Sequence, residues 1–142
     1  MDCRRNLGEK RQAEVIFVDT SALYALLDKR DPSHRKAADK WKTLQTHDDF
    51  VTTNYVVLEA VSLLQSRLGT DAVKTLHDLL LVVKVHFLDR AVHDAAIELL
   101  FAESRRHLSL VDCSSFVFMR RAGIHRALAI DDDFKRAGFE LL

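Results

Sequence analysis

Polarity along the chain alternates between short all-apolar runs and longer stretches whose apolar residues recur at helical spacing. VIFV, Val15 to Val18, is apolar on both faces and carries β-branched residues, as a central strand of a parallel sheet does. Asp19, Thr20 and Ser21 follow, each able to cap a helix, and ALYALL continues as one. Asp31, Pro32 and Ser33 form a turn that opens a second helix over His34 to Gln45. Phe50 to Thr53 reads as a second strand. Asn54 is then expected to cap a helix from Tyr55 to Leu68, which Gly69 ends, and Thr70 to cap the next, to about Leu80. VVKVHFL, Val82 to Leu88, is a third strand. Asp89 opens a long helix to about Arg106, and Asp112 another that ends near Gly123. Ala127 to Ile130 is a short strand, and Phe139 to Leu142 a last one.

Strands alternating with helices predict an α/β chain: a three-layer α/β/α arrangement around a mainly parallel sheet of four or five strands, with Val15 to Val18 central. Such sheets place their sites beyond the carboxyl ends of the strands. The polar, aperiodic residues 1–14 read as a loose N-terminal extension, and residues 15–142 as one domain.

Composition narrows the function. Of 142 residues, 48% are apolar and 30% charged, which is enough for a proper core and excludes a disordered chain. No apolar run approaches the ~18 residues that span a bilayer, so no membrane association is expected. The two cysteines, Cys3 and Cys113, build neither a disulfide framework nor a C-x-x-C metal pair, which fits a reducing, cytoplasmic setting. Twenty-one basic residues balance 21 acidic ones. A generic polyanion binder is therefore excluded, and nucleic-acid contact requires a local patch.

The candidate chemistry is acidic. Asp19 follows the first strand directly, and Asp131, Asp132 and Asp133 follow Ala127 to Ile130. Asp112 starts a helix after a short apolar segment. Glu59 interrupts the apolar stretch YVVLEAVSLL and shares its helical stripe with Val56 and Leu63, where an unpaired carboxylate is costly to bury. Taken singly, Asp19 and Asp112 read equally as helix caps, Asp131 to Asp133 as a solvated turn, and Glu59 as the partner of an arginine. Taken together they have routes to one sheet edge. Clustered carboxylates raise one another's pKa, and a divalent cation relieves that repulsion. All-oxygen ligands favour magnesium or manganese, and with them metal-assisted phosphodiester hydrolysis.

These residues bring a family into view. VIFVDTSALYALLDKRDPSH resembles the opening of a PIN domain, TTNYVVLEAVSLLQSRLG resembles the segment around that family's helical glutamate, and LSLVDCSSFVFMRRAGIHRALAIDDDFKRAGFELL resembles its C-terminal third. The similarity runs from about Val15 to Leu142, and its compact form resembles the VapC-like toxin ribonucleases. The resemblance implies that Asp19, Glu59, Asp112 and Asp131 form a catalytic, metal-holding quartet. Thr20 or Ser21 would position Asp19 or a metal water, and Asp133 would support the site. Asp132 has no counterpart. It also implies magnesium or manganese as cofactor, RNA as substrate with a 3′-hydroxyl and a 5′-phosphate left after cleavage, a cognate antitoxin, and a homodimer. A PIN-like module that has lost activity and binds RNA or protein is the alternative, and four convergent carboxylates argue against it.

Two further patterns complete the reading. Arg105, Arg106, Arg120, Arg121 and Arg126 lie in a stretch with one acid, Asp112, and form the best local candidate for contact with an RNA backbone. The seven histidines lack metal-binding spacing; His107, close to Asp112 in sequence, is the one set apart. The helices from Tyr55 to Leu80 carry more apolar surface than one face of a small sheet covers, which points to a homodimer through apolar helix faces.

Overall fold

The computed structural model describes residues 12–142. Among them five strands, β1 (Val15–Val18), β2 (Asp49–Thr53), β3 (Val83–His86), β4 (Arg126–Leu128) and β5 (Glu140–Leu141), form one sheet in the order β3-β2-β1-β4-β5. Every pairing is parallel. β1 is the middle strand, as its two-sided apolar pattern requires: Ile16, Phe17 and Val18 have no exposed surface. Burying side chains of this size stabilises the fold by roughly 1.5–3 kcal/mol each.

Among the described residues seven helices connect the strands: α1 (Thr20–Leu27), α2 (His34–Leu44), α3 (Asn54–Leu68), α4 (Thr70–Leu79), α5 (Arg90–Glu103), α6 (Leu110–Ala122) and the short α7 (Asp133–Arg136). They cover both faces. On one, Trp41 of α2 stacks at 4.1 Å on Phe50, which lies beside Ile16 in the sheet. On the other, Phe17 meets Phe118 of α6 and Phe134 of α7 at about 6 Å. The chain moves outward from β1 through β2 to β3, then crosses to β4 and continues to β5. Right-handed crossovers in opposite directions place their helices on opposite faces. The reversal falls between β1 and β4, and that is where such a sheet opens a crevice at its carboxyl edge.

Several helix starts differ from the expected ones. Thr53, not Asn54, caps α3: its side chain accepts from the Val56 amide. Asn54 is drawn away, because its side-chain oxygen accepts from the Leu88 amide at 2.9 Å. Gly69, with φ +90°, joins α3 to α4, and Thr70 lies inside α4 instead of capping it. A 3-10 turn, Leu80–Val82, delays β3. Ser109, not Asp112, caps α6. Most of the expected N-terminal extension lies outside the described residues. Glu14, its last residue, is anchored: its amide donates to Asp48 at 3.0 Å, its carbonyl accepts from Asp49, and its side chain pairs with Arg126.

Candidate active site

The crevice forms because β1 and β4 end side by side. The Asp19 amide donates to the Leu128 carbonyl at 3.0 Å, one residue past β1. Asp19 then caps α1. One carboxylate oxygen accepts from the Ser21 amide at 3.2 Å and from the Ser21 hydroxyl at 2.7 Å. That hydroxyl also accepts from the Ile130 amide at 3.0 Å. Ser21 thus fixes Asp19 and the start of the Asp131 loop against each other. Asp131 accepts from the Asp133 amide at 3.1 Å, a turn that opens α7.

Glu59 comes from α3, which packs on α1, and Asp112 from the first turn of α6. Asp112 is held in a capping box: its carboxylate accepts from the Ser109 amide at 3.0 Å while its own amide donates to the Ser109 hydroxyl at 3.1 Å. Asp19, Glu59, Asp112, Asp131 and Asp133 all line one cleft of about 390 Å³, together with Thr20 and Ser21. Asp132 is exposed and does not line it. One side chain, Asp19, therefore both caps α1 and lines the cleft.

The cleft is electrostatically costly. Burial pushes the Asp19 carboxyl up to about 7; the Ser21 hydroxyl opposes this, while Asp112 and Asp131 add to it. Burial also raises Glu59, with Thr20 opposing and Asp112 reinforcing. Burial raises Asp112 as well, against the hydrogen bonds from Ser109 and with help from Asp131 and Asp133. A guanidinium and an imidazole line the same cleft. Arg67 lies eight residues beyond Glu59 on the same stripe, with its guanidinium 5.1 Å from the centre of the Tyr24 ring. His107 is exposed at the rim, 3.9 Å from Asp133.

The donor set is hard oxygen throughout. Among the described residues no three of these side chains close into a compact ligand cage. Thr20 contributes a buried hydroxyl oxygen that makes no hydrogen bond of normal geometry. Carboxylates spread across a wet cleft fit a hard divalent cation such as magnesium, which keeps much of its own water.

The five arginines do not form one patch. Arg126 stands at the opposite end of the sheet, at the start of β4 beside Ile16, bound to Glu14 and Glu140. Arg120 and Arg121 lie in the last turn of α6, whose first turn is the one at the cleft. Arg105 pairs with Glu103 at 3.2 Å, and Arg106 is exposed. A charge run in sequence is cut by helix length: thirteen residues carry the chain roughly 20 Å. Arg67, Tyr24 and Ser109 line the cleft without having been singled out in the sequence. Arg67 was findable, since Glu59, Leu63 and Arg67 continue one helical stripe, and Ser109 with Asp112 three residues on is a capping-box pattern.

The cleft's architecture has counterparts among known proteins. A family model of the PIN domain matches residues 16–140. The 23S rRNA-specific endonuclease VapC20 of Mycobacterium tuberculosis is 36% identical over 127 residues, which cover 88% of this chain and 95% of that protein. The crystal structure of VapC20, described as a sarcin-ricin loop cleaving toxin, aligns over 87% of this chain and 95% of its own with a TM-score of 0.81. The structure of VapBC2 from Rickettsia felis bound to a promoter DNA fragment is 10% identical with a TM-score of 0.68, over 90% and 97% of the two chains. That last likeness is one of fold alone.

Proposed function

The chain belongs to the PIN-domain family, and we propose that it is an endoribonuclease of the VapC toxin type, dependent on magnesium or manganese. The observation that carries this reading is the convergence of Asp19, Glu59, Asp112 and Asp131, from four separate elements, on one cleft at the reversal point of the sheet. Burial leaves at least three of them above their ordinary pKa. A fold does not hold such a group against its own repulsion for packing alone.

Asp19 and Asp131 would hold the cation most directly, with Glu59 and Asp112 completing its surroundings or orienting waters. When bound, it offsets charge on the phosphodiester and makes water a better nucleophile. The chain's own part is positioning. Ser21 locks the rotamer of Asp19 and the register of the Asp131 loop. The capping box locks Asp112. With Asp19 titrating near 7, protons compete with cations for the cleft, so cleavage is expected to rise with pH through neutrality.

Ribosomal RNA is the proposed substrate class, by analogy with the 23S rRNA-specific relative. A cognate antitoxin, a homodimeric state and a cytoplasmic site of action complete the proposal. The test is cleavage of purified 23S rRNA with magnesium, manganese or chelator, for wild type and Asp19→Asn. Metal-dependent cutting by the wild type alone supports the reading. Equal cutting by both, or undiminished cutting in chelator, overturns it. RNA binding without any cutting selects the inactive-module alternative.

A further inference from the structure

A strand of RNA cannot be held by a cleft lined with six carboxylates, Asp31 among them; its backbone needs cations close by. A second groove, of about 450 Å³, supplies them. Arg105, Arg120 and Arg136 line it, with a single carboxylate, Glu103, among the described lining residues. A groove lined by Arg35, Lys36, Lys40 and Arg126 is also basic, but it shares no described residue with the acidic cleft, and its Arg126 stands at the opposite end of the sheet.

The Arg105 groove and the acidic cleft share a wall. Leu108 lines the groove, while its chain neighbours His107 and Ser109 line the cleft. Arg136, in the groove, lies 3.8 Å from Asp133, in the cleft. Arg105 meets Glu103 through one terminal nitrogen, while its Nε is buried and makes no hydrogen bond, so only the outer end of its guanidinium faces the groove. Arg120 spends one N–H on the Ala137 carbonyl and rests 5.5 Å from the centre of the Phe139 ring, which fixes its plane. A guanidinium held in this way presents a fork that suits phosphate oxygens.

We propose that the Arg105–Arg120–Arg136 groove holds the RNA backbone on one side of the scissile phosphate, so that the strand runs from the acidic cleft over the Asp133–Arg136 rim into the groove. This rests on the nuclease reading and adds Arg136, which lies outside the arginine-rich stretch of the sequence. The groove grips the substrate and contributes no group to the reaction. Arg126 and Arg121 take no part.

The test is equilibrium binding of purified 23S rRNA by the full chain in chelator, where no cutting is expected, over roughly 50 to 200 mM KCl. Thermal melts confirm folding; Arg136 is exposed and Arg105 half-buried, so Arg136→Gln alone is measured beside the double variant Arg105→Gln, Arg136→Gln. The double variant is expected to lower the slope of log affinity against log salt by about 1 per arginine removed, and Arg136→Gln alone by half as much. It is also expected to raise KM for cleavage about tenfold or more while kcat stays within about twofold, as loss of uniform binding does. Arg105→Lys with Arg136→Lys should restore much of the slope. Arg35→Gln with Lys36→Gln, in a separate groove with Arg126, should change nothing. Unchanged affinity and slope in the double variant would overturn the proposal while leaving the nuclease reading intact. Arginine-dependent binding by a wild type that never cuts would keep the groove and sink the nuclease reading. Loss of binding to an acidic protein partner with RNA binding unaltered would also overturn it.

Discussion

Asp19 concentrates the energetic conflict of this molecule. It is 3% exposed, and its carboxyl is raised from 3.8 to about 7 in the folded chain without a cation. Below about pH 4 the group is neutral folded or unfolded and carries no penalty. Between there and pH 7 the unfolded chain ionises it and the folded chain resists, so stability falls as pH rises. At about 1.4 kcal/mol per pH unit the loss is on the order of 4 kcal/mol. Asp19→Asn keeps an oxygen for both Ser21 hydrogen bonds and removes the charge. It is expected to melt higher than wild type at pH 8 without metal, with the gap closing toward pH 4, and to lose roughly a hundredfold or more in cleavage. Melting curves across pH check the first, and RNA cleavage the second; a gap that does not depend on pH would show that burial of the charge is not the cause. That Asp19 stands at the carboxyl edge of the sheet was legible from its place after an apolar strand. That Arg67 faces the same cleft was not singled out, because a charged residue near a helix end reads as solvated until another element packs over it.

At the scale of the element, caps decide where the acids point. Ser109→Ala removes one half of the α6 capping box and is expected to cost about 1 kcal/mol. It should also lower cleavage severalfold, since Asp112 loses the neighbour that orders its turn; Ser109→Thr should recover most of both. Denaturant melts and initial cleavage rates distinguish the two effects, and a variant with full stability loss but unaltered cleavage would show that the box does not position Asp112. The sequence points to Asn54 and Asp112 at these helix starts, and the structure caps them with Thr53 and Ser109. Thr53 prevails over Asn54 because Asn54 is claimed by the Leu88 amide, 34 positions away. Ser109 prevails over Asp112 because its backbone is extended, with ψ 166°, as a cap requires. A local pattern cannot decide between neighbours when a distant group makes the choice.

At the scale of the whole molecule, the acidic cleft makes folding and cation binding one equilibrium. Millimolar magnesium or manganese is expected to raise the melting temperature of the wild type at pH 8, and to do so much less for Asp19→Asn, as a ligand bound only by the folded state does. Chelator should reverse the rise and stop cleavage together. Several large apolar side chains remain exposed, among them Leu58 at 69%, Phe87 at 82% and Phe101 at 72%. Exposure of this kind supports the proposed homodimer. Sedimentation equilibrium is expected to give twice the 16.2 kDa chain mass, and Leu58→Glu, on the face of α3, to shift it toward the monomer; a monomer at high concentration would count against the dimer.

The sequence by itself determined the strand and helix order, the central place of Val15 to Val18 and the four candidate acids, Asp19 and Asp131 after strands, Asp112 near a helix start and Glu59 within a helix. These are properties of periodicity and of residues beside element ends, which local chemistry controls. Only the tertiary structure decided that the four acids share one cleft, that Ser21 ties two of their loops together, and that Arg105 and Arg120 part from Arg121 and Arg126. The reason is geometric. Parallel strands bring residues more than a hundred positions apart to one edge, as with Asp19 and Asp131, while a single helix separates residues a dozen positions apart by most of the domain's depth.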